Sequence, residues 1–434
     1  MGYSMKFAFY TLGCKANQFD TQALEQLARA RGHEIVPFSA PADVYVINTC
    51  TVTAESDRKS RQMVRGARRR APEAVIGICG CFAQVSPEAA SALGADVVFG
   101  TRDRERFLTL LEQAFAGRSP ETHVAPYARG EAFEFLPAGG FEGRTRALLK
   151  VQDGCDNYCT YCMIPYSRGH VRSLPLADAV SEVQRLRGEG YLEIVLTGIE
   201  ISSYGLDFRD GTGLADLLEA LCRAAPEVRI HLGSLEPRTV TREFCRRMAA
   251  LPNLLPHFHL SLQSGCDATL SRMHRRYDTA RFYESVSLLR EFFPHAGITA
   301  DLITGFPGET EEEFAETLAF LRKCSFSAMH VFPYSERPGT PAAAMTQLPR
   351  AVREARAHEA AAVAAEMRDA FLRSQVGLLD DVLFEAGVPG VQQGHTRNYL
   401  PISVAYPEDL KGQIRRVRIT AADGDHLTGE LADM

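Results

Sequence analysis

The sequence predicts an α/β protein in three parts: a small N-terminal parallel α/β domain, a central partial TIM-like (βα)6 barrel and a small C-terminal antiparallel β-barrel. Three observations predict it. Short apolar runs alternate with helix-like stretches through residues 5–120. The alternation resumes, with longer helices, over residues 144–345. From Val376 it gives way to short β-type runs separated by glycine turns. The length of 434 residues agrees, since it exceeds one ordinary core and suits about three domains.

In the first part, Lys6 to Leu12, Asp43 to Asn48 and Ala74 to Cys79 read as strands, with helices over Thr21 to Arg31 and Thr53 to Arg70. Cys14, Cys50 and Cys81 each fall just past one strand end. Ligands of open parallel sheets sit beyond the carboxyl ends of the strands, so these three thiols are expected to converge at one edge. Residues 121–143, rich in Gly, Ala, Pro and Glu, read as a linker. Six barrel strands follow, over Ala147 to Gln152, Glu193 to Thr197, Val228 to Gly233, His257 to Leu262, Ile298 to Thr304 and Ala328 to Pro333. Amphipathic helices such as Leu174 to Glu189, Thr241 to Ala250 and Glu309 to Lys323 separate them. Residues 346–373 form a connecting helix, Ala-rich from Arg350 to Arg373, expected to pack across the barrel. The runs VLFEAG, NYLPISVAY, QIRRVRIT and HLTGEL make up the last part, 374–434.

Apolar residues are 45% and charged residues 24%, a globular balance that excludes a disordered or collagen-like chain. No apolar run reaches the ~18–20 residues of a membrane span, and MGYSMKFAFYTLG lacks a signal-peptide pattern, so a cytoplasmic location is expected. A net charge of -6 means that any RNA contact must come from a local patch. The 11 cysteines, an odd number without export signals, point to metal or catalytic use rather than a disulfide framework. Cys222, Cys245, Cys266 and Cys324 are scattered and read as buried structural thiols.

The strongest local signal is Cys155-x3-Cys159-x2-Cys162 in VQDGCDNYCTYCMIPYSRG, directly after the first barrel strand. Three thiolates so spaced wrap one iron–sulfur cube and leave its fourth iron without a protein ligand. The competing reading is zinc, for which His170 is the nearest fourth ligand.

This motif at this place resembles the radical S-adenosylmethionine superfamily. That resemblance implies a [4Fe–4S] cluster on Cys155, Cys159 and Cys162 whose open iron chelates S-adenosylmethionine and yields a 5′-deoxyadenosyl radical. TLGCKANQFD, VINTC and CGCFAQ resemble the N-terminal domain of the methylthiotransferase family, and GHTRNYLPISV with LTGEL resembles its TRAM domain. The family implies a second [4Fe–4S] cluster on Cys14, Cys50 and Cys81 that handles the transferred sulfur, and two S-adenosylmethionine molecules in the reaction. Cys79, two residues before Cys81, is the rival ligand; the match to GCxAQ favours Cys81.

Further candidates follow from the superfamily pattern. Gly198 and Glu200, after the second barrel strand, occupy the place of a motif that meets the methionine amine, although Glu200 also suits a turn stabiliser. Gln263 and Asp301, at or near strand ends, face the site as cofactor contacts or as barrel structure. Tyr161, inside the cysteine loop, is placed to meet adenine, and Gly305 and Gly308 let backbone approach the cofactor or join loop to helix.

FEGRTRALLKVQDGCDNYCTYCMIPYSRG, LTGIEISSYG and HVFPYSERPGTPAA look most like the branch acting on threonylcarbamoyladenosine 37 of tRNA, beside the anticodon. The siblings act on isopentenyladenosine in tRNA or on an aspartate of a ribosomal protein; a non-enzymatic metal-containing RNA-binding protein is the remote alternative. The implied partners are the anticodon loop of tRNA, an electron donor such as flavodoxin or ferredoxin, and a sulfur donor. Three basic groups are candidates for phosphate: seven Arg or Lys between Arg58 and Arg70; Arg272, Arg275, Arg276 and Arg281; and Arg415, Arg416 and Arg418. Residues 372–434 hold six basic and nine acidic residues, so only a local face there, including Arg397 and Tyr399, suits RNA.

Overall fold

The computed structural model describes residues 4–52, 54–117, 121–137 and 145–432. In chain order the first part comprises β1 (Lys6–Thr11), α1 (Lys15–Ala30), β2 (Glu34–Val36), β3 (Val44–Thr49), α2 (Ala54–Arg70), β4 (Val75–Gly80), α3 (Cys81–Val85), α4 (Pro87–Ser91), β5 (Val97–Phe99), α5 (Arg104–Phe115) and β6 (Glu121–His123). The strands form one parallel sheet in the order β2-β1-β3-β4-β5-β6. β3 and β4 are buried along their whole length because separate apolar clusters, one around Phe107 and one around Val64, cover the two faces. The sequence signalled β1, β3 and β4; β2, β5 and β6 are three-residue strands, too short to register as a pattern. α1 begins at Lys15, one turn and more before the expected Thr21, and Thr53, the expected first residue of α2, lies outside the described residues.

The central part contains β7 (Arg146–Lys150), β8 (Gln152–Asp153), α6 (Ile164–Arg168), β9 (Arg172–Ser173), α7 (Leu176–Gly188), β10 (Glu193–Thr197), α8 (Leu214–Ala224), β11 (Arg229–His231), β12 (Ser234–Leu235), α9 (Arg242–Ala249), β13 (His257–Gln263), α10 (Asp267–Arg272), α11 (Thr279–Phe292), β14 (Gly297–Thr304), α12 (Glu311–Cys324) and β15 (Ala328–Pro333). Its wall is two parallel sheets, β7-β10-β11 and β12-β13-β14-β15. The strand expected over Val228–Gly233 is thus broken into β11 and β12 around Gly233, where an added Cβ would lie 2.8 Å from the Leu196 carbonyl. The barrel is open, with polar residues on its inner side. Phe258, Leu260, Leu262, Ile298, Ala300 and Leu302 are buried under the helices, whereas His259, Ser261, Gln263, Thr299 and Asp301 alternate with them and stay half-buried.

α13 (Arg350–Ser374) packs across β14, β15 and α12, as expected. The last part, β16 (Leu379–Val388), β17 (Gly390–His395), β18 (Pro401–Tyr406), β19 (Ile414–Asp423) and β20 (His426–Leu431), closes into a barrel ordered β16-β17-β18-β20-β19. Four neighbour pairs are antiparallel, as expected, and the β18–β20 pair is parallel. A closed ring of five strands has an odd number of members, so strict alternation of direction is impossible. Among the described residues, no helix is long and apolar enough to cross a membrane.

Candidate active site

β1, β3 and β4 are neighbours in the sheet, and each delivers a cysteine past its carboxyl end: Cys14 as the N-cap of α1, Cys50 directly after β3, and Cys81 as the first residue of α3. Two glycines in the left-handed region allow these loops to approach. A Cβ at Gly13 (φ +104) would lie 2.9 Å from the Cys50 Sγ, and one at Gly80 (φ +95) would lie 2.3 Å from the Asn48 Oδ1. The Asn17 amide donates to the carbonyls of Leu12 (2.7 Å) and Thr49 (3.0 Å), tying α1 to the ends of β1 and β3. The three thiols sense one another: burial, then the nearby Cys81, pushes the Cys50 thiol up to about 11. Burial likewise raises Cys14, against the opposing Arg168 charge. The surface of Cys14 is nevertheless accessible, so this thiol opens to solvent rather than into a packed core.

Cys79 is different. Gly80 turns the chain out of β4, so Cys79 and Cys81 do not share a strand face, as simple alternation would have it. Cys79 packs in the apolar cluster with Phe99 and Phe107, and burial pushes its thiol up to about 12.

The second trio is built from one loop. Gly154 (φ +76) turns the chain after β8 so tightly that a Cβ would meet the His170 carbonyl at 1.9 Å. The Cys155 N–H donates to the Gly169 carbonyl (3.0 Å) and the Cys162 N–H to the Cys159 carbonyl (3.0 Å). Burial drives both Cys155 and Cys162 up to about 12. The Arg275 guanidinium donates to the Cys159 Sγ at 3.1 Å. His170, the candidate fourth zinc ligand, is instead paired with Asp156 (2.6 Å). Among the described residues no three Cys, His or carboxylate side chains close on a single-ion geometry. Thiolates that bind different irons of a cube stand wider apart than four ligands around one zinc, and none of the described cysteines is consumed in a disulfide. The donor set therefore fits an iron–sulfur cube better than a lone zinc ion.

The two trios are neighbours, because α3, which starts at Cys81, packs against α6, which begins two residues after Cys162. What joins them is a buried charge cluster that the sequence did not reveal. Arg168, at the end of α6, is fully buried; its Nε donates to the Cys81 Sγ (3.3 Å), one Nη to Asp20 (2.8 Å) and the other to the Asn17 amide oxygen. Asp20 on α1 also accepts from Lys150 (2.7 Å) and Arg104 (2.7 Å), and Asp153 beside the cysteine loop accepts from Lys150 (3.1 Å). Although burial alone would raise them, these cations hold the Asp20 and Asp153 carboxyls far below the usual range. Arginine and aspartate in a helical pattern carry no periodic signal, so only their long-range pairing exposes this role.

Gln152, also missed, fixes the neighbouring loop. Its amide oxygen accepts from the N–H groups of Ile199 (3.0 Å) and Glu200 (2.7 Å), while its Nε2 donates to the carbonyl of Gly154 (2.7 Å). Gly198 is confined by the same contact, since a Cβ would lie 3.0 Å from Gln152 oxygens and 2.8 Å from Ile201. Glu200 accepts from the Ser202 N–H (3.2 Å), so its turn role is real; burial and then the Glu236 charge push its carboxyl up to about 7. Gln263 ends β13 in the left-handed region (φ +67), at a register shift against β14. Asp301 is the fifth of eight residues in β14, not at a strand end, and pairs with His259 (3.2 Å) inside the barrel. The Tyr161 ring packs edge-on against Phe306 (6.4 Å). Gly305 (φ +66) abuts Arg353, and a Cβ there would come within 2.5 Å of that side chain, so it serves the junction with α13.

The basic groups divide sharply. Arg272 pairs with Glu313, Arg276 donates to the Asp156 carbonyl (3.2 Å), and Arg281 to the Val240 carbonyl (2.9 Å). Arg397 donates to the Pro252 carbonyl (2.8 Å), and the Tyr399 ring lies against His231 (4.6 Å) and stacks on His395 (4.7 Å). Arg397 and Tyr399, the candidates for a local RNA face, thus help to dock the last barrel onto the base of the central one.

Comparison with known proteins agrees with this geometry. Residues 149–321 match the radical SAM superfamily, and residues 6–100 match a family described as uncharacterized protein family UPF0004. The chain is 39% identical, over 98% of its length and 96% of the relative's, to the threonylcarbamoyladenosine tRNA methylthiotransferase MtaB of Bacillus subtilis. It is 42% identical to the protein of that name from Aquifex aeolicus, over 81% of this chain and 86% of that one. The tRNA-2-methylthio-N(6)-dimethylallyladenosine synthase of Bacillus subtilis is 34% identical over 99% of this chain and 86% of its own length. Among solved structures, the radical S-adenosylmethionine methyltransferase TsrM from Kitasatospora setae, with cobalamin and a [4Fe-4S] cluster bound, matches in fold (TM-score 0.53, 15% identity, 90% of this chain and 81% of that chain). Membership of the superfamily implies a [4Fe–4S] cluster and S-adenosylmethionine. By its identity to these relatives over nearly its whole length, the chain belongs to the radical SAM tRNA methylthiotransferases.

Proposed function

We propose that the chain adds a methylthio group to carbon 2 of threonylcarbamoyladenosine at position 37 of tRNA. The observation that carries this reading is the pair of cysteine trios joined through Arg168, which follows the second trio in the chain and bonds to Cys81 and Asp20. Two of the relatives carrying that substrate in their names are 39% and 42% identical, while a third, at 34%, is no more similar than the dimethylallyladenosine enzyme at 34%; the first two favour the threonylcarbamoyl branch.

In this reading Cys155, Cys159 and Cys162 hold the [4Fe–4S] cluster that binds S-adenosylmethionine, and Cys14, Cys50 and Cys81 hold a second one. When bound, these groups supply one-electron and sulfur chemistry at an aromatic C–H that no side chain of ordinary pKa activates. The remaining work falls to the chain. Gln152 fixes the 198–200 loop beside the cysteine loop, where Gly198 would let backbone approach the cofactor and Glu200 would accept from its ammonium. Tyr161, its ring held by Phe306, would meet the adenine, and Gln263 and Asp301 line the polar inner wall. Arg275 sets the orientation of Cys159, and Arg168 that of Cys81. The target base is splayed out of an anticodon loop to reach the cysteine trios, which a duplex would prevent. The reaction also requires an electron donor of the flavodoxin or ferredoxin type and a sulfur donor.

Mass spectrometry of tRNA nucleosides from a deletion strain tests the reading. Loss of the methylthio form of threonylcarbamoyladenosine, restored by the wild-type gene, is expected. Loss of the methylthio form of isopentenyladenosine instead would overturn the substrate assignment.

A further inference from the structure

The chain is acidic overall, at -6, yet α2 carries seven basic residues and no acidic one between Arg58 and Arg70. The helix uses them in two ways. Arg68 reaches the carbonyls of Pro72 (2.9 Å) and Ala74 (2.8 Å) and the Asp96 carboxylate (2.8 Å), and Arg70 reaches the Phe38 carbonyl (2.7 Å). These two tie α2 to the sheet. Arg61, Arg65 and Arg69 are exposed and make no hydrogen bond or ion pair among the described residues. With Arg58 and Gln62 they line one open recess on the outer face of the helix.

Their spacing has a physical meaning. Residues four apart on a helix share a face and lie about 6 Å apart along it. Three unpaired guanidiniums at that interval form a ladder matched to consecutive phosphates of one nucleic-acid strand. Carboxylates of an acidic protein would also attract them, but a regular, unbroken run of one sign without apolar anchors suits a phosphate backbone better than a protein interface. The position agrees as well. α2 begins four residues after Cys50, so a strand lying along it leads towards the cysteines at the sheet edge. The competing surfaces are less suited: the arginines between Arg272 and Arg281 are spent on internal partners, while in the last barrel Arg416 and Arg418 stand opposite Asp381 and Glu430 on adjacent strands.

We propose that α2 is the main phosphate-binding surface of this protein and that Arg61, Arg65 and Arg69 hold the sugar–phosphate backbone of its RNA substrate, without reading base identity. The proposal rests on the tRNA reading above and adds where the RNA lies.

The test is filter binding of an unmodified tRNA transcript over a range of KCl concentrations. It compares the full-length wild type, the triple variant Arg61→Gln/Arg65→Gln/Arg69→Gln, and Arg416→Gln/Arg418→Gln. Each phosphate contact contributes about 0.7–0.9 to the slope of log K against log salt. The triple variant should lose about 2 units of slope and at least about tenfold in affinity near 0.1 M salt. The Arg416/Arg418 variant should stay within about twofold of wild type. Arginine modification by phenylglyoxal on the wild-type protein gives a second readout that needs no substitution: bound tRNA should protect Arg61, Arg65 and Arg69. Wild-type binding with an unchanged slope in the triple variant, a larger loss in the Arg416/Arg418 variant, or absence of protection would each overturn the assignment of α2. Absence of tRNA binding by the wild type would overturn the tRNA reading itself, together with this proposal.

Discussion

Asp20 shows how much can rest on one side chain. It is buried against Lys150, Arg104 and Arg168, and it joins the helix that starts at Cys14 to the loop that carries Cys155. Removing its charge leaves three cations with fewer partners in a site closed to water, so Asp20→Asn should cost on the order of 3–5 kcal/mol. Urea unfolding at neutral pH measures it, and a loss below about 1 kcal/mol would mean that the cluster is far wetter than its burial implies. The pH dependence has a definite sign. Asp20 and Asp153 are depressed below the usual carboxylate range, so their stabilisation is complete above the unfolded value near 3.8 and disappears as pH falls below it towards the folded values. Glu200 runs the other way. Its carboxyl is raised to about 7 from 4.5, so in the empty site its ionisation costs stability increasingly as pH rises through that window. Binding of an ammonium would offset that cost. Glu200→Gln is therefore expected to weaken S-adenosylmethionine binding about 10- to 100-fold in equilibrium dialysis of the cluster-loaded protein. It should also make the cluster-free protein more heat-stable at pH 8. Unchanged binding would return Glu200 to the role of a turn stabiliser for Ser202.

At the scale of elements, the docking of the last barrel carries its own titration. His231 bonds to His257 (2.8 Å) and to Glu193 (3.1 Å), Arg146 bridges Glu193 and Glu385, and Tyr399 lies over both imidazoles. Burial lowers both histidines from 6.5, His257 strongly, with the positive neighbours adding to the shift and Glu193 opposing it at His231. The folded state thus keeps them neutral where the unfolded chain takes up protons. Stability is unaffected above pH 6.5 and falls below it, by about 1 kcal/mol for His257 alone between pH 6.5 and 5.5. Amide hydrogen exchange in β16 and β18 should quicken over that interval, and His257→Gln should flatten the response. An exchange pattern independent of pH, after correction for the intrinsic rate, would show that the seam is held by Arg146 and Glu385 alone.

For the whole molecule, the decisive property is that the two trios are separate but adjacent. Anaerobic reconstitution should give roughly eight irons per chain in the wild type and roughly four in Cys14→Ala/Cys50→Ala/Cys81→Ala. That variant is expected to retain cleavage of S-adenosylmethionine and lose methylthiolation; loss of all iron would place those thiols in the first cluster or in the fold. Much of this arrangement was legible in the chain. Three cysteines within eight residues place themselves, because local spacing survives any folding. Cys14, Cys50 and Cys81 followed from apolar strands and the rule that parallel sheets present their ligands at one edge. The parts that were not legible have a common cause. Arg168 meets Cys81 from 87 residues away and Asn17 from 151, and nothing in a one-dimensional pattern says which of many arginines will be buried against which acid. The same holds for α2, where the sequence showed the charge and only the folded surface separated Arg68 and Arg70, bound to the sheet, from the three that face water. Local periodicity and spacing were enough to read the order of the folds, to put Cys14, Cys50 and Cys81 just past strand ends, and to put Cys155, Cys159 and Cys162 in one loop. The folded structure was needed to show that the trios are neighbours, that Cys79 packs in the apolar cluster while Cys81 meets Arg168 and Asn17, and which cations of α2 stay unpaired among the described residues, because each depends on charges and backbone carbonyls brought together from distant parts of the chain.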